Sequence, residues 1–370
     1  MSAHSGAAAR GLRIGVVNTA RNYGGQEAMA VLLANEFRDR GHDVLFLCRR
    51  VFPAPDDLSP HLRVETVLDG VDWSPLGILR ARRSLRRHGT EVVLATTNKD
   101  MRSAVPAAWS LGVPVVVRRA MARPLKGSPH YRFLYGRLPR HLVANSHATR
   151  RIMLDSAPWL RSDAVSVIHN GIAPGPFDDA EPAALGVPER ALVFGFVGRL
   201  VEWKGVLKLA DAWRAAAPRL PGAHLVIAGE GEMEEAMRTR LGDTERVHWL
   251  GFRSDVPSVM KALDALVFPS WMEGFGLAAL EAMAAGIPVV AADAGALPEV
   301  VGHEREGLLV PARDADALAA AMIRLAEDGE LRRRLGAGGH ARARREFSIG
   351  RMVDAYEQVL LKAGRPAEQT

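Results

Sequence analysis

Residues 266–293 read LVFPSWMEGFGLAALEAMAAGIPVVAAD, and the order of elements in this stretch decides the fold. An apolar run ends at Pro269, a glycine-bearing loop follows, and 277–285 has helical composition closed by Gly286. A second apolar run then occupies 288–292. Short uncharged runs of this kind suit strands buried on both faces, the condition of a parallel sheet, with the helix as crossover.

The same rhythm extends outward. Strands are predicted at 191–197, 223–228, 246–250, 265–269 and 307–310, with helices at 206–217, 232–241 and 255–263. Upstream, 12–18, 44–48, 91–96, 114–117, 141–145 and 164–168 read as strands, and 26–40 and 103–111 as helices. Between the two series lies HNGIAPGP at 169–176, which is turn and linker chemistry. The expected fold class is therefore α/β, with two Rossmann-like domains, 1–170 and 171–346, facing across a cleft. The tail 347–370 is expected to pack back on the first domain through a helix, 347–361, that offers Phe347, Met352, Tyr356 and Leu360. Open parallel sheets bind ligands beyond the carboxyl ends of their strands, so function is sought there.

Charge is unevenly spread. Residues 1–170 hold 25 Lys+Arg against 13 Asp+Glu, and the remaining 200 hold 23 against 29. Such a basic half can recruit an anionic membrane surface, an acidic acceptor or nucleic acid. The stretch 78–88, ILRARRSLRRH, sets Ile78, Ala81 and Leu85 at helical spacing among five arginines; it could seat the first domain on anionic lipid. Only 6% of residues are aromatic and no nucleic-acid motif is present, so nucleic acid is not the expected partner. No apolar run is long enough to span a membrane and the N-terminus lacks a signal-peptide core, so a cytoplasmic protein, peripheral on the inner face of the membrane, is expected. The single cysteine, Cys48, reads as a buried small hydrophobe.

Two constellations carry chemistry. In the quoted stretch, Gly274, Phe275, Gly276 and Leu277 place backbone N–H groups at a helix N-terminus, which favours an anion such as a diphosphate. Glu273 stands before that helix, and Glu281 is a lone charge about one turn inside it; an unpaired carboxylate there is costly unless it has a partner. At 196–205, FVGRLVEWKG, a strand ends at Gly198, and Arg199 and Lys204 follow in the turn. Together they would neutralise a leaving diphosphate without a metal. In the first half, Asn22-Tyr23-Gly24-Gly25-Gln26 follows the first strand but is not a dinucleotide fingerprint.

These residues, together with AGEGEMEEAMR at 228–238, LGF at 250–252 and EGLLV at 306–310, resemble the family-4 retaining glycosyltransferases of the GT-B fold. The likeness is dense over 192–311 and thins to Gly24-Gly25, SHATRRIM and HNGI upstream. It implies that Arg199 and Lys204 hold the donor diphosphate, Glu273 the donor sugar and Glu281 the ribose. It places Arg253 near the base, and Gly24 and Gly25 near the donor phosphate or the acceptor. The donor would be UDP- or GDP-linked, with no cofactor or metal, and the acceptor a glycan or lipid-linked hydroxyl of cell-envelope or polysaccharide synthesis. One departure stands out. Where many members carry a histidine, in the loop after strand 114–117, this chain has Arg118-Arg119-Ala120-Met121-Ala122-Arg123. Either an arginine takes over charge stabilisation at the donor, or the acceptor side is organised differently; Lys99, Arg118 and Arg119 are the candidate acceptor or charge-stabilising residues. A sugar-nucleotide epimerase of the same two-domain fold is the alternative reading.

Overall fold

The computed structural model describes residues 11–21, 24–50, 58–68 and 74–364. The chain forms two compact units. The first comprises Met1–Asn145, Arg150–Ile168 and Val353–Thr370; the second comprises Ser146–Thr149 and His169–Met352. Asn22 and Tyr23 of the expected glycine turn lie outside the described residues.

In the first unit, strands β1 (Arg13–Asn18), β2 (Asp43–Arg49), β3 (Arg63–Leu68), β4 (Val92–Ala95), β5 (Val115–Arg119), β6 (His141–Ala144) and β7 (Val165–Val167) build one sheet. Their order is β3-β2-β1-β4-β5-β6-β7, with every pairing parallel. Helices Pro75–His88, Ala104–Trp109 and Pro129–Gly136 cover one face. Their Ala81, Leu85, Ala104, Ala107, Leu134 and Tyr135 share a core with Val17, Leu45, Val93 and Val115. The stripe expected to meet lipid is therefore spent on the core: Ala81 and Leu85 are buried and Ile78 packs against them. The outward face of that helix instead carries Leu76, Leu79, Arg80, Arg83, Arg86 and Arg87.

The last helix, Ile349–Gly364, belongs to the first unit from Val353 onward. There Tyr356 and Leu360 are buried, and Arg40 pairs with both Asp354 (2.5 Å) and Glu357 (2.9 Å). Phe347 stays in the second unit, where its ring meets Phe275 edge-on at 5.7 Å. Cys48 is buried at the end of β2, and burial pushes its thiol up to about 11.

The second unit repeats the plan with β8 (Leu192–Val197), β9 (Ala223–Ala228), β10 (Val247–Gly251), β11 (Ala265–Phe268), β12 (Val289–Ala292) and β13 (Gly307–Val310). The sheet order is β10-β9-β8-β11-β12-β13, again parallel throughout. Helix Val206–Ala216 shows why the packing is firm. Val206, Leu209, Ala210, Trp213 and Ala216 recur at one-turn spacing and are all buried, and Trp213 sits edge-on to Phe194 of β8. A fully buried side chain of this size contributes about 1.5–3 kcal/mol. The strand order reverses between β8 and β11, and ligands of open parallel sheets bind beyond the carboxyl ends of the strands at such a point.

Candidate active site

Lys204 ends a single 3-10 turn, Glu202–Lys204, beyond β8. The next residue, Gly205, has φ +74°, and a Cβ there would stand 2.3 Å from the Pro269 carbonyl oxygen. Only glycine lets the loops after β8 and β11 approach this closely. The approach is sealed by the Trp271 N–H, which donates to the Trp203 carbonyl at 3.0 Å.

As a result Lys204 Nζ lies 2.5 Å from Glu273 Oε1, with side-chain exposures of 17% and 12%. The ammonium also stands 4.5 Å from the centre of the Phe268 ring, a face that attracts cations. The Ser270 hydroxyl is 2.8 Å from the same Oε1 and 3.0 Å from the Trp203 carbonyl, so its one proton serves two acceptors. Glu273 is thereby oriented from two sides.

Helix Leu277–Ala284 begins beside this pair. Its N-cap is Gly276, at φ +99°, which has no side chain to satisfy the first N–H groups. The first helical bond is Leu280 N to the Gly276 carbonyl at 3.2 Å, leaving the N–H groups of the opening turn to a ligand or solvent. One turn further in, burial pushes the Glu281 carboxyl up to about 7, against the downward pull of Lys204. Lys204 thus pairs with Glu273 and also acts electrostatically on Glu281.

Other expected site residues fall around this centre. Arg199 is exposed on the loop after Gly198, with its guanidinium 5.8 Å over the Trp203 ring. Arg253 follows β10 and is engaged by Asp255 through Nε (2.7 Å) and Nη2 (2.5 Å). Two groups escaped the sequence reading. Glu230, after β9, accepts the Phe252 N–H at 3.2 Å and so links the loops after β9 and β10. Arg313, after β13, holds a left-handed backbone (φ 66°) and lies 4.6 Å over the Trp271 ring. A positive φ on a residue other than glycine was the structural signal, and sequence carries no trace of it.

In the first unit the expected loop position of Arg118 and Arg119 needs correction. Strand β5 runs on to Arg119, with Arg118 opposite Val143 and Arg119 opposite Ala144, and both arginines are buried. Arg119 donates to the Arg123 carbonyl at 2.9 Å and to Asn98 Oδ1, and it lies over the Tyr135 ring. At the β1/β4 switch, Asp100 is fully buried and accepts from Thr19 N (2.9 Å), Thr19 Oγ1 (2.6 Å), Thr96 N (2.9 Å) and Thr97 N (2.7 Å). Gly24 and Gly25 are exposed where helix Gly25–Asp39 begins. Burial raises the pKa of Glu27 in that first turn; Arg118 and Lys99 lower it, and Asp100 raises it. Arg118, Asp100 and Lys99 thus all act electrostatically on Glu27.

A metal was not expected, yet among the described residues His147, His169 and Glu299 bring one ligand atom each within 4.8 Å. Both Glu299 oxygens are already used: Oε1 by Ala148 N (2.7 Å), and Oε2 by His147 N (2.8 Å) and His169 Nε2 (3.1 Å). This carboxylate fastens Ser146–Thr149 to the second unit as a cap would.

The chain matches two family models: "Glycosyl transferases group 1" over residues 177–342 and "Glycosyltransferase Family 4" over residues 23–175. It is 34% identical to the phosphatidyl-myo-inositol mannosyltransferase of Mycolicibacterium smegmatis, over 91% of this chain and 90% of that one. The chain spans about half the length of several curated relatives it matches. One is the lipopolysaccharide core biosynthesis mannosyltransferase LpsB of Rhizobium meliloti, 35% identical over 50% of this chain and 56% of that one. Among solved structures, Anabaena HepE in complex with UDP-glucose superposes with a TM-score of 0.81 at 24% identity, over 95% of this chain and all of that one. That likeness establishes the two-domain fold expected from the sequence.

Proposed function

Because this chain belongs to the family-4 glycosyltransferases, we propose that it transfers a hexose from a nucleotide-sugar donor to an acceptor hydroxyl, with retention at the anomeric carbon. The observation that carries the reading is the half-buried pair of Lys204 and Glu273 beside the uncapped helix start at Gly276, with Glu281 within the field of Lys204. An anionic diphosphate seated there gains the helix N–H groups and the charge of Lys204, with Arg199 available from the same loop. Glu273 is placed for the donor sugar hydroxyls and Glu281 for the ribose hydroxyls. Gly198, Gly274, Phe275 and Leu277 let the ligand approach the backbone, and Arg253 stands on the base side. Gly24 and Gly25 belong with the donor phosphate or the acceptor. Lys99, Arg118 and Arg119 are the first-unit candidates to supply positive charge in place of the family's histidine.

The chemistry follows from that charge. The bond from the anomeric carbon to the phosphate oxygen breaks as the acceptor oxygen bonds to the same carbon. The acceptor's proton passes to the departing phosphate oxygen on the same face. Lys204, Arg199 and the helix start stabilise the charge that develops on the diphosphate, which is electrostatic catalysis by prepositioned groups. They supply this charge without calling on a metal ion. The donor is a UDP- or GDP-sugar, and the acceptor a glycan or lipid-linked hydroxyl of cell-envelope synthesis; the mannosyltransferase relatives support that class. A screen of UDP- and GDP-sugars by thermal shift, then by mass spectrometry with lipid and soluble acceptors, tests the reading. At least one donor should raise the melting temperature and yield a product heavier by one hexose. Interconversion of a sugar nucleotide without transfer would make the chain an epimerase.

A further inference from the structure

We propose that Thr149 and Glu299 are positioning residues for the donor site. Glu299 fixes the backbone of Ser146–Thr149, and the Thr149 hydroxyl fixes the loop that carries Glu273 and opens helix Leu277–Ala284. This rests on the nucleotide-sugar reading and adds to it two residues that act through the loop rather than on the donor.

The loop is held one residue at a time. The Glu273 carbonyl accepts the Ala296 N–H at 3.2 Å. Gly295, at φ +58°, permits that approach, since a Cβ there would stand 2.7 Å from the same carbonyl oxygen. Phe275 is buried, with its ring 5.7 Å from those of His169 and Phe347. Between these anchors the Gly274 carbonyl accepts the Thr149 hydroxyl at 3.2 Å. No other hydrogen bond to that carbonyl occurs among the described residues. Glycine has the widest backbone freedom, so this bond restrains the residue that aims the N–H groups following it.

Thr149 is itself oriented. Its N–H donates to Ser146 Oγ and the Ser146 hydroxyl donates to Thr149 Oγ1, both at 3.0 Å, and both residues are fully buried. With its oxygen accepting from Ser146, the Thr149 proton is left for Gly274. The hydroxyls therefore run in one direction, and each bond polarises the next.

Glu299 supplies the fixed end. It accepts the His147 and Ala148 N–H groups at 2.8 and 2.7 Å, and His169 Nε2 lies at 3.1 Å. Burial pushes its carboxyl up, but the bonds from His169, His147 and Ala148 outweigh burial and hold it below its ordinary value. The carboxylate is thus charged at neutral pH, and its grip on the two N–H groups is charge-assisted. One side chain therefore secures both Thr149, which holds Gly274, and His169, which packs on Phe275.

The test is isothermal titration of UDP, GDP, UDP-glucose and GDP-mannose into the native full chain and into Thr149→Val, Thr149→Ser and Glu299→Gln. Valine keeps the shape of threonine and removes only the hydroxyl. It should weaken binding of whichever ligand the native chain takes by about 3- to 10-fold, the range of one neutral hydrogen bond. Serine should restore it, and Glu299→Gln should weaken it at least as much as valine does. Amide exchange over residues 274–277 should quicken in the valine and glutamine variants. If valine prevents folding, Ser146→Ala carries the test and should weaken binding about 2- to 5-fold. Native-like affinity in Thr149→Val (or in Ser146→Ala where that stands in), even with a lowered melting temperature, would make the bond purely structural and overturn the proposal while sparing the donor reading. A loss that serine does not restore would also overturn it. Failure of the native chain to bind any of the four ligands would instead reject the donor reading, and this proposal with it.

Discussion

Replacing Glu281 with Gln should stabilise the ligand-free protein, and only above the pH at which the native carboxyl would have to ionise. Burial raises this group from the usual 4.5 to about 7. Below 4.5 the carboxyl is protonated in both folded and unfolded chains, and it costs nothing. Between 4.5 and 7 the unfolded chain releases the proton while the native state retains it, so stability falls as pH rises. Above 7 the cost is complete. At 1.36 kcal/mol per pH unit its ceiling is about 3 kcal/mol, or roughly 6–12 °C in the melting temperature of a domain of 150–250 residues. Gln does not titrate, so the gap between variant and native chain should be near its minimum at pH 4.5, widen to pH 7 and then level. Scanning calorimetry at several pH values reads it directly. Saturating donor should reverse the order, because losing a bond from a charged group to the ribose weakens binding roughly 10- to 150-fold. A gap that stays flat with pH, or a variant increasingly less stable as pH rises, would refute the reasoning.

Lys204→Ala should lower kcat by about 10²–10³, the usual effect of deleting one group that stabilises developing negative charge, while circular dichroism is unchanged; near-native turnover counts against the phosphate assignment. Activity should persist in excess EDTA, and loss restored by Mg²⁺ would show that a metal carries the leaving-group charge. Gly205→Ala should destabilise the second unit by about 1–3 kcal/mol and misplace Lys204, because the new methyl would meet the Pro269 carbonyl; an unaltered melt and rate would mean that the β8 and β11 loops are free to separate.

Much of the fold was legible because parallel strands buried on both faces leave uncharged runs, such as LVFGFV in β8 and AHLVIA in β9. Strand β3, RVETVL, was not, because it closes the edge of its sheet and its first residues, Arg63 and Val64, are exposed. Strand β5 was cut short for a related reason. Arg118 and Arg119 read as loop residues, yet the strand buries both with hydrogen-bonding and charged neighbours. The stripe Ile78, Ala81, Leu85 had the right period but the wrong neighbour: periodicity shows that a face is apolar and not what covers it. In the site, the lone Glu281 signalled a missing partner. That Lys204 pairs with Glu273 and lends its field to Glu281 depended on two loops some 70 residues apart meeting at Gly205. Capture of Ser146–Thr149 by Glu299 was likewise invisible, since nothing local marks a carboxylate that will cap a distant helix start.

The central claim is that the site beyond the carboxyl ends of β8 and β11 binds a nucleotide sugar through Lys204 and the two glutamates. Isothermal titration of UDP- and GDP-sugars into the native chain, Lys204→Ala and Glu281→Gln tests it most directly. The account predicts saturable binding of at least one donor to the native chain and at least ~10-fold weaker binding in each variant. Binding that is equal in all three proteins, or absent from the native chain for every donor, would contradict it.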